Sequence, residues 1–385
     1  MAVFFLVYVG LYGGMNAYAL WKVGRGIGHL GWWWTALVLL GLVMVSGPVL
    51  THLLMAKGHV GAARCAALVA FTWMTVVMWI VFIGGLGDLW NGVVWVLGRR
   101  ADGLGELGLS ARTQLWACAA VTIVGLVWGV VEGRQLQVRV QTIESAKIPP
   151  GHPPLRLLHM ADLHLGLTQG GALLEQIIRA AESAQPDMIL CTGDAVDSLG
   201  PHTGELARRL ARLSPPLGKV AVIGNHERYA GLDESLAFLH SAGFTVLRGA
   251  AVDVGTELRI AGIDDPVLRR SERAVGEPES RLLDDAGPGR FFVLLKHRPY
   301  LSPEAEERVD LQLSGHTHGG QIFPFHLALP FFYPLGSGWR SLGAGRGVYV
   351  SRGAGNWGPP LRVLAPREIT LFILSPPPSG PLGGR

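Results

Sequence analysis

Charge is what this sequence has least of. Charged residues make up 16% of its 385 positions, against about 25% in an ordinary soluble protein. Hydrophobic residues reach 49% and mean hydropathy is +0.33, which excludes a disordered chain, since disorder needs low hydropathy and excess charge. The net charge of +4 is small and spread out, so there is no basic footprint and no nucleic-acid partner is expected. Cysteine is nearly lacking as well. Cys65 and Cys118 lie in apolar runs and Cys191 in a strand-like run, a spacing that fits neither a zinc knuckle nor a disulfide framework. The 53 glycines and 24 prolines follow no strict period, which excludes a collagen-like repeat.

The charge deficit is concentrated. Residues 1–133 carry seven Lys/Arg and four Asp/Glu, and residues 134–385 carry twenty-six and twenty-five. A hydrocarbon core of about 30 Å needs about 20 helical residues. Four runs meet that need, at 3–21, 33–55, 62–83 and 114–131, punctuated by Lys22, Arg25, Lys57, Arg64, Arg99, Arg112 and Arg134. Their centres hold no charge, which favours an anchor over a channel or transporter. Gly41, Gly47, Ala66, Ala67 and Gly125 inside the runs suit close helix packing in lipid, and Trp32, Trp33 and Trp34 suit an interfacial belt. A shorter apolar piece at 88–97 either extends the third helix or lies at the interface. Ala17-Tyr18-Ala19 resembles a signal-peptidase site, but no basic segment precedes it, so an uncleaved first helix is expected.

The expected organisation is a four-helix transmembrane anchor over 1–133, a first strand and short connector over 134–154, and an α/β domain over 155–385. The localisation expected is the cell membrane, multi-pass, with membrane lipid as surroundings. Basic residues around the first helix all follow it, which favours an outside N-terminus and, with four spans, an extracytoplasmic domain. Arg134, Arg139 and Lys147 after the last span pull the other way, leaving the whole-chain tally nearly even.

In the soluble part, short apolar runs end repeatedly in residues able to hold metal. The run 155–160 leads into Asp162 and His164, 188–191 into Asp194, 219–223 into Asn225, His226 and Glu227, 291–295 into His297, and 311–313 into His316 and His318. Helical stretches such as 173–184 and 205–213 lie between the first runs, so an α/β layering with function at strand C-termini is expected. Singly, each piece is an ordinary turn or a core histidine. With His226 and Glu227 set aside, together they supply two carboxylates, one amide and four imidazoles. That donor set suits Mn, Fe or Zn, and the lack of thiolates disfavours a structural zinc site. Seven ligands exceed one tetrahedral ion but suit two ions sharing a carboxylate, an arrangement that clamps both oxygens of a displacement at phosphorus.

At this point the sequence resembles the calcineurin-like metallophosphoesterases. The motifs DLH, GDAVD, GNHE, KH and GHTHGG occur in family order over about residues 155–320, and the GHTHGGQ form with the later Gly355, Pro360-Leu361-Arg362 and Pro366-Arg367-Glu368 is similar to the membrane-associated bacterial branch. The resemblance implies two β-sheets sandwiched between helices and two divalent metal ions. It implies that Asp162, His164 and His318 hold one ion, that Asn225, His297 and His316 hold the other, and that Asp194 bridges them. It further implies a metal-bridging hydroxide as nucleophile, His226 as the acid that protonates the leaving oxygen, and Asp197 as a support beyond the ligands.

The activity expected is hydrolysis of a phosphomonoester, phosphodiester or pyrophosphate. The rival is a non-catalytic membrane receptor or scaffold on the same fold, which lost ligands would signal; none of the motif ligands is missing. Asp264 and Asp265, closing the run 258–263, either border the site or make a plain turn. Arg298 is expected to face solvent, and His159 to pack in or beside its strand. The apolar, aromatic, proline-broken segment 322–335 has a plain expectation as a buried strand and loop, and a sharper one as a surface for a lipid-linked substrate.

Overall fold

Each long apolar run becomes a helix in the computed structural model, which describes residues 2–28, 31–99, 103–200, 202–269, 276–284, 286–287 and 289–378. The helices are α1 (Ala2–Ile27), α2 (Trp33–Ala56), α3 (Val60–Gly98) and α4 (Ala111–Arg134). Three stretches, Trp33–Ala56, Val60–Gly98 and Leu104–Arg134, are long and apolar enough to cross a membrane. The third helix is much longer than the 62–83 run suggests. The 88–97 piece continues it, giving 39 residues, or about 58 Å at 1.5 Å per residue. Asp88 on this extension is met by Lys22 Nζ at 2.5 Å and by the Tyr18 hydroxyl at 2.6 Å. Small residues set the helix spacing: a Cβ on Gly125 would come 2.7 Å from the Trp79 ring, and one on Gly47 2.6 Å from Ala70 Cβ.

The chain divides into two units, Met1–Val131 with Gly358–Leu361, and Glu132–Trp357 with Arg362–Arg385; the last seven residues of the latter lie outside the described range. Among its described residues the second unit holds twelve strands: β1 (Leu136–Glu144), β2 (Leu155–Met160), β3 (Met188–Cys191), β4 (Lys219–Ala221), β5 (Thr245–Val246), β6 (Ala250–Val254), β7 (Leu258–Ile263), β8 (Phe291–Lys296), β9 (Leu311–Ser314), β10 (Gly338–Gly343), β11 (Arg346–Val350) and β12 (Arg367–Ser375). Its helices are α5 (Gly171–Ala184), α6 (Thr203–Ala211), α7 (Asn225–Ala230), α8 (Leu232–Ser241), α9 (Pro266–Arg269), α10 (Glu279–Asp284), α11 (Pro303–Arg308) and α12 (Phe325–Phe332).

The strands form two six-stranded mixed sheets, ordered β1-β12-β2-β3-β4-β5 and β10-β11-β9-β8-β7-β6. Strand periodicity explains their stacking, because successive side chains take opposite faces. Leu157 and Leu190 of the first sheet share one core with Phe291, Val293 and Leu295 of the second. The alternate residues Leu158 and Ile189 face Leu174 and Ile177 of α5, and Phe292 and Leu294 face Leu282 and Leu283 of α10. The result is helix, sheet, sheet, helix, the layering implied by the resemblance. β2–β3–β4 and β7–β8–β9 run parallel within their sheets, so their C-terminal loops collect at common edges.

The segment 322–335 departs from the plain expectation. It forms α12, of whose residues none is buried, with Phe331 and Phe332 85% and 70% exposed. Apolarity marks surface that gains by leaving water, but nothing local ensures that the fold covers it.

Candidate metal centre

The C-terminal loops of five strands deliver all seven residues singled out as ligands to one place. Asp162 and His164 follow β2, Asp194 follows β3, Asn225 opens α7 after β4, His297 follows β8, and His316 and His318 follow β9. Backbone hydrogen bonds lace these loops together. Asp162 N donates to Gly193 O at 3.0 Å, His164 N to Asp194 O at 3.0 Å, and Gly315 N to His297 O at 2.9 Å. Five of the seven, Asp162, His164, Asp194, His316 and His318, adopt positive φ between 47° and 71°. Each such residue costs of order 1 kcal/mol, and such costs gather at functional sites. Gly193 has φ 92°, and a Cβ there would lie 2.6 Å from Gly224 N and 2.9 Å from His297 Nδ1; the turn beneath the cluster has room only for glycine.

Three groups of ligand atoms lie within 4.8 Å of one another: Asp162 with His164 and His318; His164 with Asp194 and His226; Asp194 with His297 and His316. Asp194 Oδ2 is 3.1 Å from His297 Nε2 and 3.9 Å from His164 Nε2, so one carboxylate faces a histidine of each group. The chemistry of this donor set fits a cation. His297 Nδ1 donates to the Thr192 carbonyl at 2.8 Å, which leaves Nε2 as the lone-pair nitrogen of the neutral ring. That lone pair meets Asn225 Oδ1 at 3.2 Å, His316 Nδ1 at 3.1 Å and the Asp194 oxygen. Acceptors this close need a positive charge among them.

Without a metal, protons take that place. Burial alone would lower His297, but Asp194 overcomes it and raises His297 to about 10. Asp194, which burial would raise, is instead held far below the usual carboxylate range, chiefly by His297. His316 is pushed down to about 3 by burial and by the neighbouring His297. Two consequences of known sign follow. In metal-free protein, His297 has a raised folded pKa, so its contribution to stability is full below about 6.5 and is lost as pH rises through about 10. A cation must displace that proton, so divalent-metal affinity should rise about tenfold per pH unit between pH 7 and 9. Calorimetric titration of Mn²⁺ in buffers of different ionisation enthalpy checks this; a pH-independent affinity with no proton release would contradict it.

Around the ligands, Asp197 accepts from both His164 Nδ1, at 3.3 Å, and His226 Nδ1. Its side chain is 26% exposed. The His226 ring stands edge-on to those of Tyr229 and Trp357, at 5.4 and 6.4 Å. His159 is fully buried and bonded to Thr192 Oγ1 at 2.8 Å. Asp264 and Asp265 make ion pairs, with Arg248 at 2.6 Å and Arg298 at 2.7 Å. Arg298 is therefore half-buried and paired, in place of the solvent-facing role expected of it, because Asp265 sits fully buried beside it.

Three important residues went without a role in the sequence reading. Buried Glu227 accepts N–H groups from Asp194 at 3.0 Å, Ala195 at 2.6 Å and Gly224 at 2.8 Å, fixing the loop that carries Asp194. Fully buried Arg362 donates to the carbonyls of His318, Arg352 and Ala365 at 3.2, 2.6 and 2.9 Å. Tyr333 Oη lies 2.8 Å from His316 Nε2. Glu227 and Arg362 stood inside quoted motifs, while Tyr333 lay in the apolar segment 322–335 with nothing to set it apart from the aromatics beside it.

Comparison with known proteins agrees with this geometry. The family model for calcineurin-like phosphoesterases matches residues 155–320. Over 240 residues the chain is 41% identical to an uncharacterised metallophosphoesterase of Aquifex aeolicus, spanning 62% of this chain and 92% of that protein. The chain belongs to the calcineurin-like phosphoesterase family. Another metallophosphoesterase, the uncharacterised YkuE of Bacillus subtilis, is 32% identical over 262 residues, covering 63% of this chain and 87% of YkuE. The likeness extends into the apolar third: a transmembrane protein with metallophosphoesterase domain from Danio rerio is 28% identical over 353 residues, covering 89% of this chain and 80% of that one. Metallophosphoesterases use divalent metals, and this one has candidate ligand clusters for them. Tyr333 and Arg362 lie beyond the residues matched by the family model.

Proposed function

We propose that this metallophosphoesterase is a multi-pass membrane hydrolase of phosphoester or pyrophosphate bonds with a two-metal centre. The observation that carries the proposal is the position of Asp194, whose carboxylate faces His164 on one side and His297 on the other. Asp162, His164 and His318 would hold one divalent ion (Mn, Fe or Zn) and Asn225, His297 and His316 the other, with Asp194 shared. Bound there, the ions would supply Lewis acidity and an activated water for attack at phosphorus. The chain's own groups do the rest. Asp197 orients His164 and His226 together, and with His226 Nδ1 committed to Asp197, Nε2 is the nitrogen left to protonate the leaving oxygen. Glu227 keeps the Asp194 loop in its strained turn. Stripping the metal with a chelator and restoring it, on a panel of a soluble nitrophenyl diester, a phospholipid and a nucleotide-sugar lipid, tests the reading; no turnover on any after full metal loading would favour the scaffold alternative.

A lipid-linked substrate is the finer form of this proposal. It is favoured by the exposed Phe325, Leu327, Phe331 and Phe332 of α12, since Tyr333, which follows them, touches the ligand His316. An acyl or prenyl chain lying on these rings would leave its phosphate at the cluster. Each buried phenyl is worth about 1.5–3 kcal/mol. Phe331→Ser with Phe332→Ser should therefore raise KM on a lipid-linked pyrophosphate tenfold or more, by order of magnitude, and leave the nitrophenyl diester unchanged. Unaltered kinetics on the lipid would sink the lipid subsite.

For the membrane we propose four spans, α1 included, since its 26 residues exceed the about 20 that a hydrocarbon core requires. An extracytoplasmic domain follows from the basic residues after the first helix. Protease added to sealed right-side-out vesicles should then degrade the domain; full protection would reverse the orientation.

A further inference from the structure

The four imidazoles of the cluster differ in what holds the nitrogen facing away from it. His164 and His297 turn Nε2 inward, and their Nδ1 atoms meet an Asp197 carboxylate oxygen and the Thr192 carbonyl. His318 presents Nε2 to His164 at 2.9 Å, with Nδ1 3.1 Å from the Arg362 guanidinium. His316 is reversed. Its Nδ1 points at His297 Nε2, and its Nε2 points outward to Tyr333 Oη.

Carboxylates and carbonyls only accept, so they dictate which nitrogen carries the proton; a phenol both donates and accepts. His316 is thus the ligand whose tautomer depends on a neutral side chain from another element. For Nδ1 to offer its lone pair, the proton must sit on Nε2 and Tyr333 Oη must accept it. The Tyr333 ring is braced for this: it stands at 74° to the His316 ring, centroids 5.4 Å apart, and lies 5.5 Å from the ring of Tyr300. Partners of this kind fix ring orientation and ligand basicity, and their loss commonly costs 10–100-fold in metal affinity.

Resting on the two-metal reading above, we propose that Tyr333 is a positioning residue for one ion only, holding His316 as an Nδ1 ligand by accepting its Nε2–H. It thereby joins the exposed aromatic helix α12 to the Asn225–His297–His316 side of the centre. On the other side, Asp197 accepts from His164 Nδ1 and the Arg362 guanidinium faces His318 Nδ1, so the Asp162–His164–His318 ion does not depend on Tyr333.

The test is Mn²⁺ titration of chelator-stripped, full-length protein by calorimetry, with bound metal counted and electron paramagnetic resonance recorded at each step. Wild-type protein should take two ions and develop the signature of a spin-coupled pair. Tyr333→Phe, which removes one hydroxyl, should keep one ion at wild-type affinity and weaken the second about 10–100-fold, so that a mononuclear signal persists at metal levels that couple the wild type. Phe332→Ser, next door on α12, should leave both affinities unchanged, and thermal melts of the metal-free proteins should agree. Two ions at full affinity in Tyr333→Phe would overturn the inference while leaving the two-metal reading intact. Equal weakening of both ions would also overturn it, pointing to general loosening. A single ion in wild-type protein would overturn the two-metal reading itself and this inference with it.

Discussion

Asp194→Asn should lower kcat/KM about a thousandfold or more, a loss of about 4 kcal/mol in transition-state stabilisation. The carboxylate has two distinct tasks, and an amide fails at one of them in either orientation. Oδ1 accepts from His226 N at 2.8 Å, and Oδ2 faces the imidazole nitrogens of His297 and His164. An amide nitrogen in the first position meets an N–H donor; in the second it removes the negative charge that two cations would share. Metal counting should show fewer than two ions per chain, with far-ultraviolet circular dichroism unchanged. Full turnover with two bound ions would contradict the scheme.

His226→Gln should lower kcat about 10²- to 10⁴-fold on substrates with alkyl leaving groups, with metal content intact. The effect should shrink towards tenfold or less, in order of magnitude, for a nitrophenyl leaving group that needs little protonation. The geometric reason is that Asp197 engages His226 Nδ1, which orients the ring and leaves the opposite nitrogen for the substrate. Loss of the same size across leaving groups would show that His226 only binds phosphate.

Much of the centre could be seen in the sequence because its candidate ligands are local features. A strand that ends at a metal cluster must turn sharply, so the ligand comes within a few residues of the last apolar position and often beside a glycine. Asp162 after β2, Asp194 after Gly193, and His316 after Gly315 are of this kind. The strands themselves were visible as short apolar runs, and β2, β3 and β7 begin and end where those runs do.

Residues that act across long separations were not visible. Arg362 binds the His318 carbonyl 44 positions away, and Glu227 reaches back 33 positions to the Asp194 backbone. Nothing in the local pattern around Tyr333 distinguishes it from Tyr300 or Tyr349. The α12 segment departs from its plain expectation for a related reason: with Pro324 before it and Pro330 inside it, the run reads as broken, and its apolarity suggests burial. Its exposure results from how the neighbouring loops pack, information that no window of residues contains.

The sequence alone determined that an apolar third with helices long enough to cross a membrane precedes an α/β domain, where the strands β2, β3, β4, β8 and β9 that lead into the site lie along the chain, and the set of metal-capable side chains. These follow from composition and from periodicities of a few residues. Only the tertiary structure decided which nitrogen of each histidine faces the cluster, that Asp194 stands between its two halves, and that an aromatic helix lies uncovered beside a candidate ligand. Those properties depend on distances between loops from two separate sheets, and such distances exist only once the sheets have packed.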